Sequence, residues 1–160
     1  MKWRFLDCII SFEPWAMIAA RKAISLEEYS LLKPFGRKGD FPEGLILECC
    51  VEAVRWLVAA SSGFAQVSVL SEIEGFRFTA KMPIPATADK MPTMVGMGDV
   101  LEIAATVKQR GENDASIECC VKCSDKDAAR GEITVALLPL NESFDREFVE
   151  SMWRELYGAA

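Results

Sequence analysis

No histidine occurs anywhere in the 160 residues. That removes the side chain most often used as a general base near neutrality and the usual nitrogen ligand of zinc. Also missing is a run of about eighteen uncharged apolar residues, the minimum for a membrane helix. Glu48, Glu52 and Arg55 interrupt the best candidate. Positive charge is scarce: 18 Lys and Arg against 24 Asp and Glu leave a net charge of −6, the wrong sign for holding nucleic acid. The opening MKWRFLDCIISFEPW starts basic, but Asp7 and Glu13 bracket its short apolar run. It has no small-residue cleavage site, so it does not read as a signal peptide. A soluble, cytoplasmic protein without membrane insertion is the expectation.

Apolar residues make up 51% of the chain, enough for one domain to bury a core without disulfide or metal staples. The six cysteines are Cys8, Cys49, Cys50, Cys119, Cys120 and Cys123. Cys120 and Cys123 form a single C-x-x-C with no second pair at zinc spacing. On a strand those two side chains point to opposite faces. Buried, reduced cysteines acting as small hydrophobes are therefore expected, with no metal and no cofactor. What positive charge exists is partly gathered, at Arg21, Lys22, Lys33, Arg37 and Lys38. This is either a solvated surface or a landing patch for an acidic or phosphate-bearing partner.

Periodicity predicts strands over Phe5–Phe12 and Met17–Ile24 around a Glu13-Pro14 turn, with both faces partly covered. A glycine-rich, charged connection leads to one long apolar helix from about Pro42 to Ala60, ended by Ser61-Ser62-Gly63. Pro42 suits the first helical position, where a missing N–H costs nothing. Five more strands are expected: Ala65–Ile73, Phe76–Lys81, Val100–Gln109, Ser116–Cys123 and Glu132–Leu138. Turn chemistry at Arg110–Asp114 and Ser124–Asp127 joins the later ones. The loop Met82–Met97 carries four methionines and three prolines, and is either a packed connection or a ligand-lining or dimer-contacting segment. A last helix over Phe144–Tyr157 takes Ser143 as its N-cap and packs through Phe148, Val149, Met152, Trp153 and Leu156.

Beyond Glu43 in its first turn, only three side chains of the central helix are charged. Glu48, Glu52 and Arg55 fall at i, i+4 and i+7, on one narrow face. Either they form the single wet stripe of an enclosed helix, with Arg55 pairing Glu52, or the stripe lines a cleft. A cleft would desolvate Glu48 and raise its pKa, while amides around Gly44 at the helix start polarise a carbonyl oxygen.

The order of strands, glycine-rich loop, long apolar helix and antiparallel strands, over about Phe5 to Leu140, resembles the 3-hydroxyacyl-ACP dehydratases of the hot-dog fold. Phe5-Leu-Asp-Cys-Ile-Ile-Ser-Phe-Glu-Pro14 is similar to that family's opening F-L-x-D-R-x-x-x-x-E-P. Phe41-Pro-Glu-Gly-Leu-Ile-Leu-Glu-Cys-Cys-Val-Glu52 is similar to its M-P-G-V-L-x-x-E-A-x-A-Q helix start. Phe76-Arg-Phe and Gly98-Asp99 are similar to its R-F and P-G-D elements.

The resemblance implies an α+β protein: one hot-dog domain over residues 1–140, an antiparallel sheet wrapped around the long helix, and a C-terminal helical extension over 141–160 packed on it. It also implies acyl thioesters, on acyl carrier protein or coenzyme A, as ligands, and a homodimer as the working unit. Glu48 takes the place of the family's catalytic carboxylate and Glu52 that of its helix glutamine. Backbone amides at Glu43 and Gly44 would hold the thioester carbonyl, with Pro34, Phe35, Phe41, Pro42 and Glu52 lining the site. Met82, Met91, Met94 and Met97 are candidates to line the acyl chain, and Arg21, Lys22, Arg37 and Lys38 to dock a carrier. The family's G-H-F-P motif fails here: the matching stretch is Lys33-Pro34-Phe35, with proline where histidine belongs. Three readings stay open: an acyl-thioester binder that does not dehydrate, a thioester hydrolase working through Glu48, or a structural partner of an active dehydratase.

Overall fold

The structure, a computed structural model, describes residues 5–25, 41–79, 95, 98–140 and 145–158. Among the described residues six strands and two helices run in the order β1 (Cys8–Glu13), β2 (Met17–Ala23), α1 (Glu43–Ser61), β3 (Gln66–Phe78), β4 (Val100–Arg110), β5 (Asp114–Cys123), β6 (Lys126–Pro139) and α2 (Arg146–Tyr157). The strands form one sheet in the order β1-β2-β4-β5-β6-β3, antiparallel throughout. The fold is the expected α+β hot-dog: a curled sheet against one long central helix, with a second helix at the C-terminal end.

Alternation along the strands creates the two faces of the sheet. Ile18 and Ala20 of β2, Leu101, Ile103 and Ala105 of β4, Ile117, Cys119 and Val121 of β5, and Ile133, Val135 and Leu137 of β6 are buried. They meet Ile46, Cys49, Cys50, Ala53, Val54 and Leu57 of α1 in a single core. Each fully buried aliphatic side chain contributes about 1.5–3 kcal/mol, so this interface holds α1 in place. The intervening residues face outward and include Glu102, Glu118, Lys122 and Arg130, all partly or fully exposed.

The helix starts one residue later than expected. Pro42 is the N-cap, with ψ 140°, and its carbonyl accepts from the amides of Leu45 at 2.9 Å and Ile46 at 3.2 Å. At the other end Ser62 caps, and Gly63 turns the chain with φ 62°. The two expected strands Ala65–Ile73 and Phe76–Lys81 are one strand, β3, as far as the described residues reach. Gly75, with φ 58°, does not end it, because the bulge between Glu74 and Arg77 takes up the extra residue. The β5–β6 turn has Ser124 and Asp125 both at positive φ, the primed geometry that suits a tight hairpin.

The last helix is capped by Asp145 and not Ser143: its carboxylate accepts from the Phe148 amide at 3.1 Å. α2 docks through Trp153, whose ring lies 5.0 Å from Phe12, 6.0 Å from Trp56, 6.3 Å from Phe64 and 5.3 Å from Tyr157. Leu156 is fully enclosed beside it. Neither helix among the described residues is long and apolar enough to cross a membrane.

Candidate functional site

One stripe of α1 escapes the sheet. Gly44, Glu48 and Arg55 are exposed along it. Glu48 therefore does not enter apolar surroundings within the protomer; it stands in solvent one turn inside the helix, because the buried residues occupy the opposite faces. The N-cap above it, Pro42, makes no side-chain capping hydrogen bond. The first amides of any helix lack intrahelical partners, so a carboxylate and the positive end of the helix dipole lie on one side of α1.

The enclosed carboxylate of α1 is Glu52, one turn further on. One oxygen accepts the Phe5 amide at 2.8 Å and the other accepts Trp56 Nε1 at 3.2 Å. Burial raises its pKa above the ordinary 4.5, against the two hydrogen bonds and the charges of Arg55 and Lys22, which lower it. Sequence reasoning assigned Glu52 a lesser part. The signal that favours it is Trp56 four residues on, placed to donate to a carboxylate one turn back.

Phe5 is held at both ends of its peptide unit, since Cys49 Sγ donates to its carbonyl at 3.2 Å. Asp7 continues this strap. Its carboxylate accepts the Ala23 amide at 2.6 Å and pairs with Lys22 Nζ at 3.4 Å. Lys22 is thus not a surface docking residue: it alternates with Ile18 and Ala20 on the inward face of β2 and is only 6% exposed. Arg21, on the outward face, is exposed and pairs with Glu102 at 3.2 Å.

Phe41 was expected to line the site. It is 2% exposed and belongs to the core, its amide bonded to the Val95 carbonyl at 2.8 Å. Pro42, Glu43 and Gly44 sit together at the helix start. Pro34, Phe35, Arg37, Lys38, Met82, Met91, Met94 and Met97 lie outside the described residues.

The cysteines are free thiols. A hydrogen bond with Cys119 and burial between α1 and β5 push the Cys50 thiol well up, which makes it unreactive. Among the described residues no group of three or more His, Cys, Asp or Glu side chains could hold a metal ion.

No protein-family model matches this chain, and no curated protein matches it. Solved structures do. A Streptococcus mutans protein bound to acetyl CoA superposes with a TM-score of 0.61 at 13% identity, over 82% of this chain and 88% of that one. A hypothetical thioesterase protein with coenzyme A from Streptococcus pneumoniae gives 0.59 at 11% identity, over 82% and 84%. A dehydratase heterocomplex from Xenorhabdus doucetiae gives 0.61 at 16% identity, over 93% and 89%. At these identities the likeness is one of fold.

Proposed function

We propose that this chain binds acyl thioesters, carried on an acyl carrier protein or on coenzyme A, and does not dehydrate 3-hydroxyacyl groups. The observation that carries the reading is a solvent-facing carboxylate, Glu48, about one turn inside the start of α1, in a chain without histidine. Helix amides at Glu43 and Gly44 supply a hydrogen-bonding place for a thioester carbonyl oxygen. Elimination of water needs more. One group must take the proton beside the carbonyl while another protonates the departing hydroxyl, and a positioned base is worth about 10²–10⁴-fold. Glu48 can fill one of those posts but not both. The solved neighbours with acetyl CoA and coenzyme A support the ligand class.

The exposure of Glu48 favours one second reading, hydrolysis. A carboxylate open to water can act as base for a water molecule or attack the thioester itself. In either reading the working unit is a homodimer, and exposed Arg21 is the described candidate for docking a carrier, Arg37 and Lys38 lying outside the described residues. Lys22 leaves the docking candidates because it is buried and paired.

Calorimetry with acyl-CoA, followed by a free-thiol assay on the same mixture, separates the readings. Saturable binding without thiol release is the expected result. Thiol release that disappears in Glu48→Gln, with the fold intact, replaces binding by hydrolysis. Formation of an enoyl thioester from a 3-hydroxyacyl one overturns the proposal.

A further inference from the structure

The exposed stripe of α1 is closed part-way along the helix. Leu45, Glu48 and Glu52 follow one another at i, i+3 and i+7 on one flank, beginning beside Gly44 at the helix start. Gly44 and Glu48 are exposed, and Leu45 is half-buried. At Glu52 the flank is covered. The Phe5 peptide lies across the helix there, its amide donating to Glu52 at 2.8 Å and its carbonyl accepting from Cys49 Sγ at 3.2 Å.

Trp56 stands behind that strap. It is only 7% exposed, and its Nε1 donates to the other Glu52 oxygen at 3.2 Å. Its ring lies 6.0 Å from Trp153 of α2, which lies 5.0 Å from Phe12 of β1. The clasp made by Phe5, Glu52 and Trp56 is thus braced by both α2 and β1. The sheet side of α1 is filled by Ile46, Cys49, Cys50 and Val54 of the core. Interiors packed in this way leave little room for a methylene chain.

We propose that this clasp sets the greatest length of acyl group the protein accepts, so that its ligands are thioesters of short to medium chains, about eight carbons or fewer. The inference rests on the acyl-thioester reading above and adds which acyl groups fit. With the thioester carbonyl at the Gly44 amide, the chain passes Leu45 and Glu48. It meets Glu52 eight residues on, about 12 Å along the helix axis. An extended chain, with bonds of about 1.5 Å set in a zigzag, spans that distance in about eight or nine bonds. A longer chain must displace Phe5 or bend out into water, and either course cancels the gain from its added methylenes.

Calorimetry on the full chain with straight-chain acyl-CoA of two to twelve carbons, referenced to coenzyme A itself, tests the limit. Affinity is expected to rise about fourfold per added methylene as far as about eight carbons, then to level or fall. Wild-type affinity that climbs unbroken to twelve carbons, or that ignores chain length, overturns the limit while acyl-thioester binding stands. Failure of every acyl-CoA to bind overturns both. Glu52→Ala, which releases the Phe5 amide and the Trp56 indole, is expected to move the break at least two carbons longer. Glu52→Gln keeps an acceptor for Phe5 and is expected to hold the break in place. A break that stays put in Glu52→Ala, or moves as far in Glu52→Gln, overturns the clasp. If Glu52→Ala does not fold by circular dichroism, Trp56→Leu is expected to move the break in the same direction, and no movement overturns the proposal. If thiol is released, kcat/KM over the same series replaces affinity and is expected to break at the same length.

Discussion

The carboxylate of Glu52 accepts the amide of Phe5 at 2.8 Å, a contact between residues 47 positions apart. It ties the segment ahead of β1 to the middle of α1, and four testable consequences surround it and its neighbours.

Burial raises the Glu52 pKa above 4.5, so the folded protein holds the neutral acid more readily than the unfolded chain. Its contribution to stability is full below the unfolded value and is lost as pH rises through the folded one. Glu52→Gln keeps an acceptor for the Phe5 amide but does not titrate. Urea unfolding across the acidic to neutral range is therefore expected to show wild type gaining on Glu52→Gln as pH falls toward 4.5. Parallel profiles would contradict this. Glu52→Ala leaves two donors without their acceptor and is expected to cost about 1–3 kcal/mol.

Lys22 and Arg21 are adjacent in sequence and opposite in kind. Lys22→Ala is expected to lose about 1–3 kcal/mol, because Asp7 loses a partner at a half-enclosed site. Arg21→Ala should stay within about 0.5 kcal/mol, as exposed pairs do. Equal losses in urea titrations would show that the burial of Lys22 has no energetic weight.

Gly131 faces the ring and backbone of Phe76. A Cβ at this position would lie 2.6 Å from the Phe76 Cα and nearer still to its ring. Removing the ring cannot cure a clash with a backbone atom. Gly131→Ala is expected to destabilise by about 1–3 kcal/mol, and Gly131→Ala with Phe76→Ala to show no recovery. A stable double variant in thermal melts would locate the conflict in the ring alone.

Trp153 joins α2 to β1 through Phe12, to α1 through Trp56 and to the turn after α1 through Phe64, and stacks on Tyr157 of its own helix. Trp153→Ala is expected to cost about 3 kcal/mol, the lower end for aromatic truncation. Amide exchange in α2 should quicken well before exchange in α1. Uniform quickening would mean that α2 and the sheet open as one unit.

Much of this architecture was legible in the sequence. The central helix, β4, β5 and most of the apolar face of α2 follow from local periodicity and turn residues and lie close to where those signals place them, whereas β6 begins at Lys126, six residues before the expected Glu132, and Phe148 is exposed. The misses share a cause: each depends on a partner distant in the chain. Gly75 looks like a strand break until β6 supplies the register that turns it into a bulge. Ser143 and Asp145 are equivalent caps on paper, and only the path of the chain selects Asp145. Lys22 reads as surface charge because the inward phase of β2 is set by Ile18 and Ala20 together, while the amine is satisfied by Asp7. Glu48 and Glu52 share a helix face. What separates them is the Phe5 strap, and no pattern within α1 encodes it.

The strand order has a consequence for synthesis. β3 leaves the ribosome directly after α1, yet its hydrogen-bonding partner in the sheet is β6, with Gln66 opposite Pro139 and Phe78 opposite Ala129. Until β6 emerges, β3 has a free edge on both sides, carrying Val69, Leu70 and Ile73. Such late, long-range pairing slows folding and prolongs the interval in which nascent chains can pair with the wrong strand. The charges at Glu72, Glu74 and Arg77 then act as gatekeepers flanking an unavoidable apolar segment.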